Sequence, residues 1–276
     1  SSPVQIPGTT WSIVSKSYQT SYGIKTDGTA WSWGYNGYGQ LGINDRTSRS
    51  SPIQIPGTTW SYVTGGYQTG YGTKTDGTAW AWGLNTYGDL GVNDKTHRSS
   101  PTQIPGTSWS KLAGGYHNCV AVRTNGTMFA WGRNQNGEVA QNNTTSQSSP
   151  IQIPGTDWSV CSTGNYSAYA VNTDGELFTW GYNVVGELGL NDVARRSSPV
   201  QVPGTTWSEL ACGQNATLAL KTDGTIWAWG AGGEGRLAQN NNTNYSSPVQ
   251  VGSGTQWTAV VGDSEGFMAI ERDTTP

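Results

Sequence analysis

The chain has 276 residues, of which 39 are Gly and 14 are Trp, and only 12% are charged, so its polarity comes from Ser, Thr, Asn and Gln. A net charge of -3 supplies no broad basic field for nucleic acid or an anionic membrane, and the low charge excludes a solvated polyelectrolyte chain. No apolar run approaches a membrane span, no basic start with an apolar core marks a signal peptide, and the Gly and Asn content suits a turn-rich β protein.

The first element, "SSPVQIPGTTW" at Ser1, recurs near 50, 99, 148, 197 and 246, and Pro3, Pro52, Pro101, Pro150, Pro199 and Pro248 keep a spacing of 49. With no linker breaking this register, residues 1–276 are expected to form a single domain of about 5.6 repeats. Each repeat predicts four short strands. The "PVQIP" stretch comes first, its prolines suiting an edge position, and "WSYVTGG" second. The third, "GYGTKTDG", turns through Asp-Gly into the fourth, "TAWAWG". Asp-Gly between β-prone runs is a strong hairpin signal, and it stands at Asp27, Asp76, Asp174 and Asp223, with Asn125-Gly126 in the third copy.

The third strand carries a large-small-large pattern in every copy, as in Tyr22-Gly23-Ile24, Tyr71-Gly72-Thr73 and Tyr169-Ala170-Val171. Alternate strand residues face opposite sides, so the Gly or Ala face must receive something bulky at close range. The tryptophans are the obvious knobs. Large residues of one sheet filling hollows on the next describe the blades of a β-propeller.

The blocks "WSWGYNGYGQLG" (31–42), "WAWGLNTYGDLG" (80–91), "FAWGRNQNGEVA" (129–140), "FTWGYNVVGELG" (178–189) and "IWAWGAGGEGRLA" (226–238), with "LALKTDGT" (218–225), resemble the repeats of the regulator of chromosome condensation family. The resemblance covers essentially the whole chain and implies a β-propeller, which in that family usually has seven blades. Counting strands gives an all-β propeller of six blades, mostly of four antiparallel strands. The seam blade lacks one strand, because the chain ends as "ERDTTP" with Thr274 where a hairpin glycine belongs. The alternative is seven blades completed by residues outside this chain.

The sequence offers no catalytic constellation. The two histidines, His97 and His117, stand in polar loop contexts, single turn carboxylates at 49-residue spacing cannot supply a calcium shell, and Cys119, Cys161 and Cys212 share no phase, which predicts free, buried thiols. No cofactor, no metal and no enzyme activity are expected. Binding is the better expectation for two loop systems. Turns between the second and third strands carry Tyr18-Gln19, Tyr67-Gln68, Tyr116-His117, Asn165-Tyr166 and Gln214-Asn215, aromatic rings with polar neighbours suited to a protein or glycan. The loops before Ser-Ser-Pro carry Arg46, Arg49, Lys95, His97, Arg98, Arg195 and Arg196, a partial basic stripe suited to an acidic partner.

Near-identical 49-residue copies resemble the versions of this family found in bacterial surface proteins and bacteriophages. That resemblance implies a non-enzymatic binding or structural module on a virion or cell surface, extracellular in location with the cytoplasm as the alternative, recognising a protein or carbohydrate. The charge and the lack of a long apolar run predict no nucleic-acid partner and no membrane insertion, and a larger assembly or a longer polypeptide is allowed for. The nuclear members of the family imply the alternative function, guanine nucleotide exchange on a small GTPase.

Overall fold

The computed structural model describes residues 4–262 and 266–272. Strands β1 (Trp11–Lys16), β2 (Thr20–Lys25), β3 (Ala30–Gly34) and β4 (Arg49–Gln54) form one sheet in that order. The pattern repeats as β5 (Trp60–Gly66), β6 (Thr69–Lys74), β7 (Ala79–Gly83) and β8 (Arg98–Gln103), then as β9 (Trp109–Gly114), β10 (Asn118–Arg123), β11 (Met128–Gly132) and β12 (Gln147–Ile153). It continues as β13 (Trp158–Thr163), β14 (Ser167–Asn172), β15 (Leu177–Gly181) and β16 (Arg196–Gln201), and as β17 (Trp207–Cys212), β18 (Ala216–Lys221), β19 (Ile226–Gly230) and β20 (Tyr245–Gln250). Last come β21 (Trp257–Gly262) and β22 (Phe267–Glu271), paired with each other.

This grouping corrects the strand order read from the repeat. The Ser-Ser-Pro strand is the last of a sheet and not the first: β4 pairs antiparallel with β3 through Trp31↔Gln54, Ser32↔Ile53 and Gly34↔Arg49. The cause is the loop between them. Buried Asn36 donates through Nδ2 to the Asp45 and Thr47 carbonyls, each at 3.1 Å, and accepts the Leu41 amide at 2.9 Å, which folds the loop back onto its own sheet. Asn85, Asn134 and Asn183 repeat the arrangement. Residues 4–7, the described part of the "PVQIP" stretch expected as a first strand, form none. Among the described residues there are five sheets of four strands and one of two; Thr274 and the expected missing strand lie outside them.

The chain divides into two compact units, one of Ser1–Thr124, Trp131–Arg133 and Ser146–Ile151, the other of Asn125–Ala130, Asn134–Thr145 and Gln152–Pro276. In the first, the hollow at Gly72 is filled by Trp60 of the same sheet: a Cβ there would stand 2.9 Å from its ring. Trp11 covers Gly23 likewise, at 2.8 Å. The knobs are therefore tryptophans, as expected, but they come from the adjoining strand and not from the next sheet. The bulky face of the preceding sheet then closes over them, with Tyr22 and Ile24 packed in one core with Trp60, Val63 and Trp82. In the second unit Tyr169 and Val171 cover Trp207, Ala219 and Trp229 in the same way.

Buried indoles such as Trp82, 0% exposed, each remove on the order of 200 Å² from water. At about 25 cal/mol/Å² that is about 5 kcal/mol per ring against an extended chain. Their N–H groups are also satisfied: Trp82 Nε1 donates to the Gln40 carbonyl at 2.8 Å, Trp131 to Asp89 at 2.9 Å, and Trp180 to Glu138 at 2.9 Å. The tryptophans of the Trp-Gly dipeptides are thus fixed in register, because each of these indoles bonds one particular carbonyl.

The Asp-Gly turns behave as expected. Asp27 accepts the Thr29 amide at 2.9 Å and its hydroxyl at 2.7 Å, and the same hydroxyl accepts Trp31 Nε1 at 2.9 Å. These bonds hold the Asp27 carboxyl below its ordinary value, the Thr29 hydroxyl contributing most. None of the three cysteines is in a disulfide; Cys119 is buried and Cys161 and Cys212 are partly so, and burial pushes the Cys212 thiol up to about 12. No helix among the described residues is long and apolar enough to cross a membrane.

Candidate binding face

The turns joining the first two strands of each four-stranded sheet are built by the Trp-Gly dipeptide. Gly34 has φ +115°, and a Cβ there would come within 2.4 Å of the Gln19 carbonyl oxygen. Only glycine admits that approach, and it lets the Tyr35 amide donate to the Gln19 carbonyl at 3.0 Å. The same bond runs from Leu84 to Gln68, Arg133 to His117, Tyr182 to Tyr166 and Ala231 to Asn215. At all five turns the backbone makes the anchoring contact, while the side chains at those positions are Gln, Gln, His, Tyr and Asn.

In the first unit the tyrosines that precede these anchors touch one another. Tyr18 and Tyr67 lie with ring centroids 5.0 Å apart, and Tyr67 stacks on Tyr116 at 4.2 Å. Tyr18 is 61% exposed. His117 adds a fourth ring, edge-on to Tyr67, Tyr87 and Tyr116 at 5.6, 5.1 and 4.5 Å. The expected row of aromatics is thus a contiguous ladder over the first three turns, beside exposed Gln19 and half-buried Gln68.

His117 is held from beneath by a residue that the sequence reading did not single out. Its Nδ1 lies 2.8 Å from Asp89 Oδ1, and Asp89 is wholly buried. Asp89 Oδ2 accepts the Tyr87 amide at 2.7 Å, and its carbonyl accepts the Tyr71 hydroxyl at 2.7 Å. Gln40, Glu138 and Glu187 occupy the same phase and are equally buried. The signal was available: a polar residue precedes the Leu or Val of the Trp-Gly block in every one of these copies. Glu187 lacks such a partner, its Oε1 is unbonded, and burial pushes its carboxyl above the ordinary value.

In the second unit Tyr166 sits edge-on to Tyr182 at 6.0 Å, Asn165 and Asn215 are half-buried, and Gln214 is exposed. The aromatic there occupies the anchor phase and not the preceding one, so it forms a separate feature.

The loops before Ser-Ser-Pro read differently in three dimensions. Arg49 is paired with Asp45 at 2.5 Å, Arg98 with Asp94, and Arg196 with Asp192 at 2.5 Å. Each arginine thus closes its own loop against an aspartate four residues earlier, and the charge that looked like a stripe is locally neutralised. His97 accepts the Asn85 amide on Nδ1 at 2.9 Å and packs on Tyr38, and Arg195 lies 4.9 Å over the Tyr182 ring. Arg46 and Lys95 remain exposed. No group of three His, Cys, Asp or Glu that could hold a metal occurs among the described residues.

Sequence models of the regulator of chromosome condensation (RCC1) repeat match residues 27–70, 76–122, 125–171, 174–220 and 223–262, and a second description of that repeat matches 12–40, 109–138 and 207–236. The chain belongs to the RCC1 repeat family. No curated protein matches it by sequence. Among solved structures it is similar to human WBSCR16, with 22% identity, 95% of this chain and 72% of that one covered, and a TM-score of 0.84. It is also similar to yeast RCC1 (Prp20) in its structure bound to Kap60, at 18% identity, 95% and 68% coverage and a TM-score of 0.82. Prp20p from Saccharomyces cerevisiae, described with its binding properties to Gsp1p and histones, gives 18%, 94% and 69%, and 0.81. These similarities establish the fold, an all-β RCC1-type propeller built of tandem repeats.

Proposed function

We propose that this RCC1-type propeller is a non-enzymatic recognition module that binds a protein or carbohydrate partner through the tyrosine ladder, as a component of a virion or cell surface. The observation that carries the reading is the contiguous row of Tyr18, Tyr67 and Tyr116, in which Tyr67 stacks on Tyr116, Tyr18 meets Tyr67 at a tilt of 50°, and Tyr18 is largely exposed. Stacked rings present a flat, rigid, amphipathic area at low entropic cost, and Gln19 and Gln68 supply amides for orientation. The fold supports the same view at family level, since Prp20 is seen with a protein bound. Sparse charge and nearly uniform repeats support a surface location and the bacterial or phage branch of the family. The test is capture from host surface extract together with a glycan array, comparing the parent chain with a Tyr18→Ala, Tyr67→Ala, Tyr116→Ala variant and with Tyr166→Ala alone. Loss in the triple variant with retention in Tyr166→Ala is the expected result; equal binding by the triple variant excludes the ladder.

Guanine nucleotide exchange is the second reading, supported by the likeness to Prp20p, whose structure was described together with its binding to Gsp1p. Accelerated nucleotide release from a small GTPase on adding the chain would establish it in place of the first.

A further inference from the structure

Four repeats fill one particular slot with their own cation. Lys25 Nζ sits 5.1 Å from the Trp11 ring centroid and 4.2 Å from that of Trp31. Lys74 lies at 5.0 and 4.6 Å from Trp60 and Trp80, and Lys221 at 4.5 and 4.8 Å from Trp207 and Trp227. Arg123 lies 4.5 Å over Trp109. The Pro-Gly segment closes the slot: a Cβ at Gly8, Gly57 or Gly204 would stand 3.4, 3.3 or 3.5 Å from the lysine Nζ. An ammonium between two indole faces is a strong form of cation–π contact, because each ring presents its negative face.

The fourth repeat keeps the slot and loses the cation. Asn172 stands at the lysine position, and its side chain is turned into its own hairpin, accepting the Glu176 amide and donating to Glu176 Oε2, both at 2.8 Å. What remains is an open cleft of about 460 Å³ lined by Pro154, Gly155, Asp157, Trp158, Asn172 and Phe178, among others. Trp158 and Phe178 still provide two aromatic rings, 5.2 Å apart and edge to face.

The charges have changed in the matching sense. Asp157 replaces the Thr10, Thr59, Ser108 and Thr206 of the other copies, and Glu176 replaces Thr29, Thr78, Thr127 and Thr225. Asp157 is exposed at the cleft. The backbone differs too: Thr10, Thr59, Ser108 and Thr206 all have φ between 64° and 72°, whereas Asp157 is not in that conformation. One internal cation has gone and one carboxylate, Asp157, has arrived in the lining of a slot that holds a lysine ammonium in three sister copies and the Arg123 guanidinium in another. We infer that the fourth repeat binds a lysine side chain of a partner protein, its ammonium over Trp158 and Phe178 and beside Asp157. This site lies wholly in the second unit and does not rest on the tyrosine ladder.

The test titrates Nα-acetyl-lysine-N-methylamide into the full chain and follows the Trp158 indole N–H resonance, assigned by its loss in Trp158→Phe. A saturable shift with a Kd on the order of millimolar is expected for a single lysine, with the Nε-acetylated probe at least about tenfold weaker. Asn172→Lys recreates the residue of the sister copies, so it should fold, melt higher than the parent and abolish the shift. Asp157→Ser, a residue type already present at Ser108, should weaken binding about threefold or more. Equal affinity for the neutral probe, no saturable shift in the parent, or undiminished binding in both variants would overturn the assignment.

Discussion

Tyr67 lies nearly flat on Tyr116, with ring planes inclined by 26°, and it also meets Tyr18, tilted by 50° at 5.0 Å. A middle ring with two neighbours should matter more than an end ring. Tyr67→Ala is expected to cost about 1–2 kcal/mol in urea unfolding, more than Tyr18→Ala, and to weaken partner capture further than Tyr18→Ala does. Tyr67→Phe, which keeps the ring, should retain most of the stability.

The Trp-Gly glycines separate steric need from mere occurrence. Gly83 has φ +102° and a Cβ there would lie 2.4 Å from the Gln68 carbonyl oxygen, whereas nothing lies within 4 Å of a Cβ at Gly233. Gly83→Ala should therefore destabilise by about 2 kcal/mol or more, and Gly233→Ala should stay within about 0.5 kcal/mol of the parent. Equal melting temperatures for the two variants would contradict this account of the turn.

Acid sensitivity follows from the hairpin aspartates. Asp27, Asp76 and Asp223 are all held below the ordinary carboxylate value, chiefly by the hydroxyls of Thr29, Thr78 and Thr225. A depressed folded-state value means that stability is present above the unfolded pKa and is lost as pH falls through the folded one. Melting temperature should thus drop below about pH 4. Replacing all three by Asn should flatten that drop, because Asn125 already makes the same bonds, accepting the Thr127 amide at 3.1 Å and hydroxyl at 2.7 Å.

Glu187 works in the opposite sense. Burial raises its carboxyl, so its protonated form is favoured in the fold and its contribution to stability is lost as pH rises past the unfolded value. Glu187→Gln should raise the melting temperature at neutral pH and change little near pH 4. Gln40 occupies the same phase, is just as buried and accepts the Tyr38 amide through Oε1 at 2.9 Å, so an amide oxygen can take over the bond that Glu187 accepts from the Val185 amide. A melting curve unchanged at neutral pH would mean that the carboxylate finds compensation elsewhere.

Reading the repeat was enough to reach the hairpins, because Asp27-Gly28 and its copies encode their geometry within four residues. It was also enough to foresee tryptophans over Gly23 and Gly72. Which strand supplied them was not legible, since a spacing of twelve residues between Trp11 and Gly23 fits an adjacent strand as well as a facing sheet. The assignment of the Ser-Ser-Pro strand failed for a related reason. Strand membership there depends on Asn36 bonding across to Asp45 and Thr47, a contact with no local pattern. The basic loops illustrate the same limit: Arg49 and Asp45 are visible in sequence, but their pairing at 2.5 Å is not, nor that Arg46 and Lys95 stay exposed beside such pairs. Asp89 beneath His117 lay within reach, through a polar residue recurring at one phase of an otherwise apolar block.

The amide that follows each Trp-Gly glycine bonds to a backbone carbonyl, and every residue type carries one. Substitution at 19, 68, 166 or 215 therefore leaves the anchoring bond in place, and the turns can diverge in chemistry one at a time without renegotiating the scaffold. Repeats that are otherwise nearly copies can in this way come to differ at these turns alone, so that point mutation or exchange of whole units changes the chemistry of this face without disturbing the sheets.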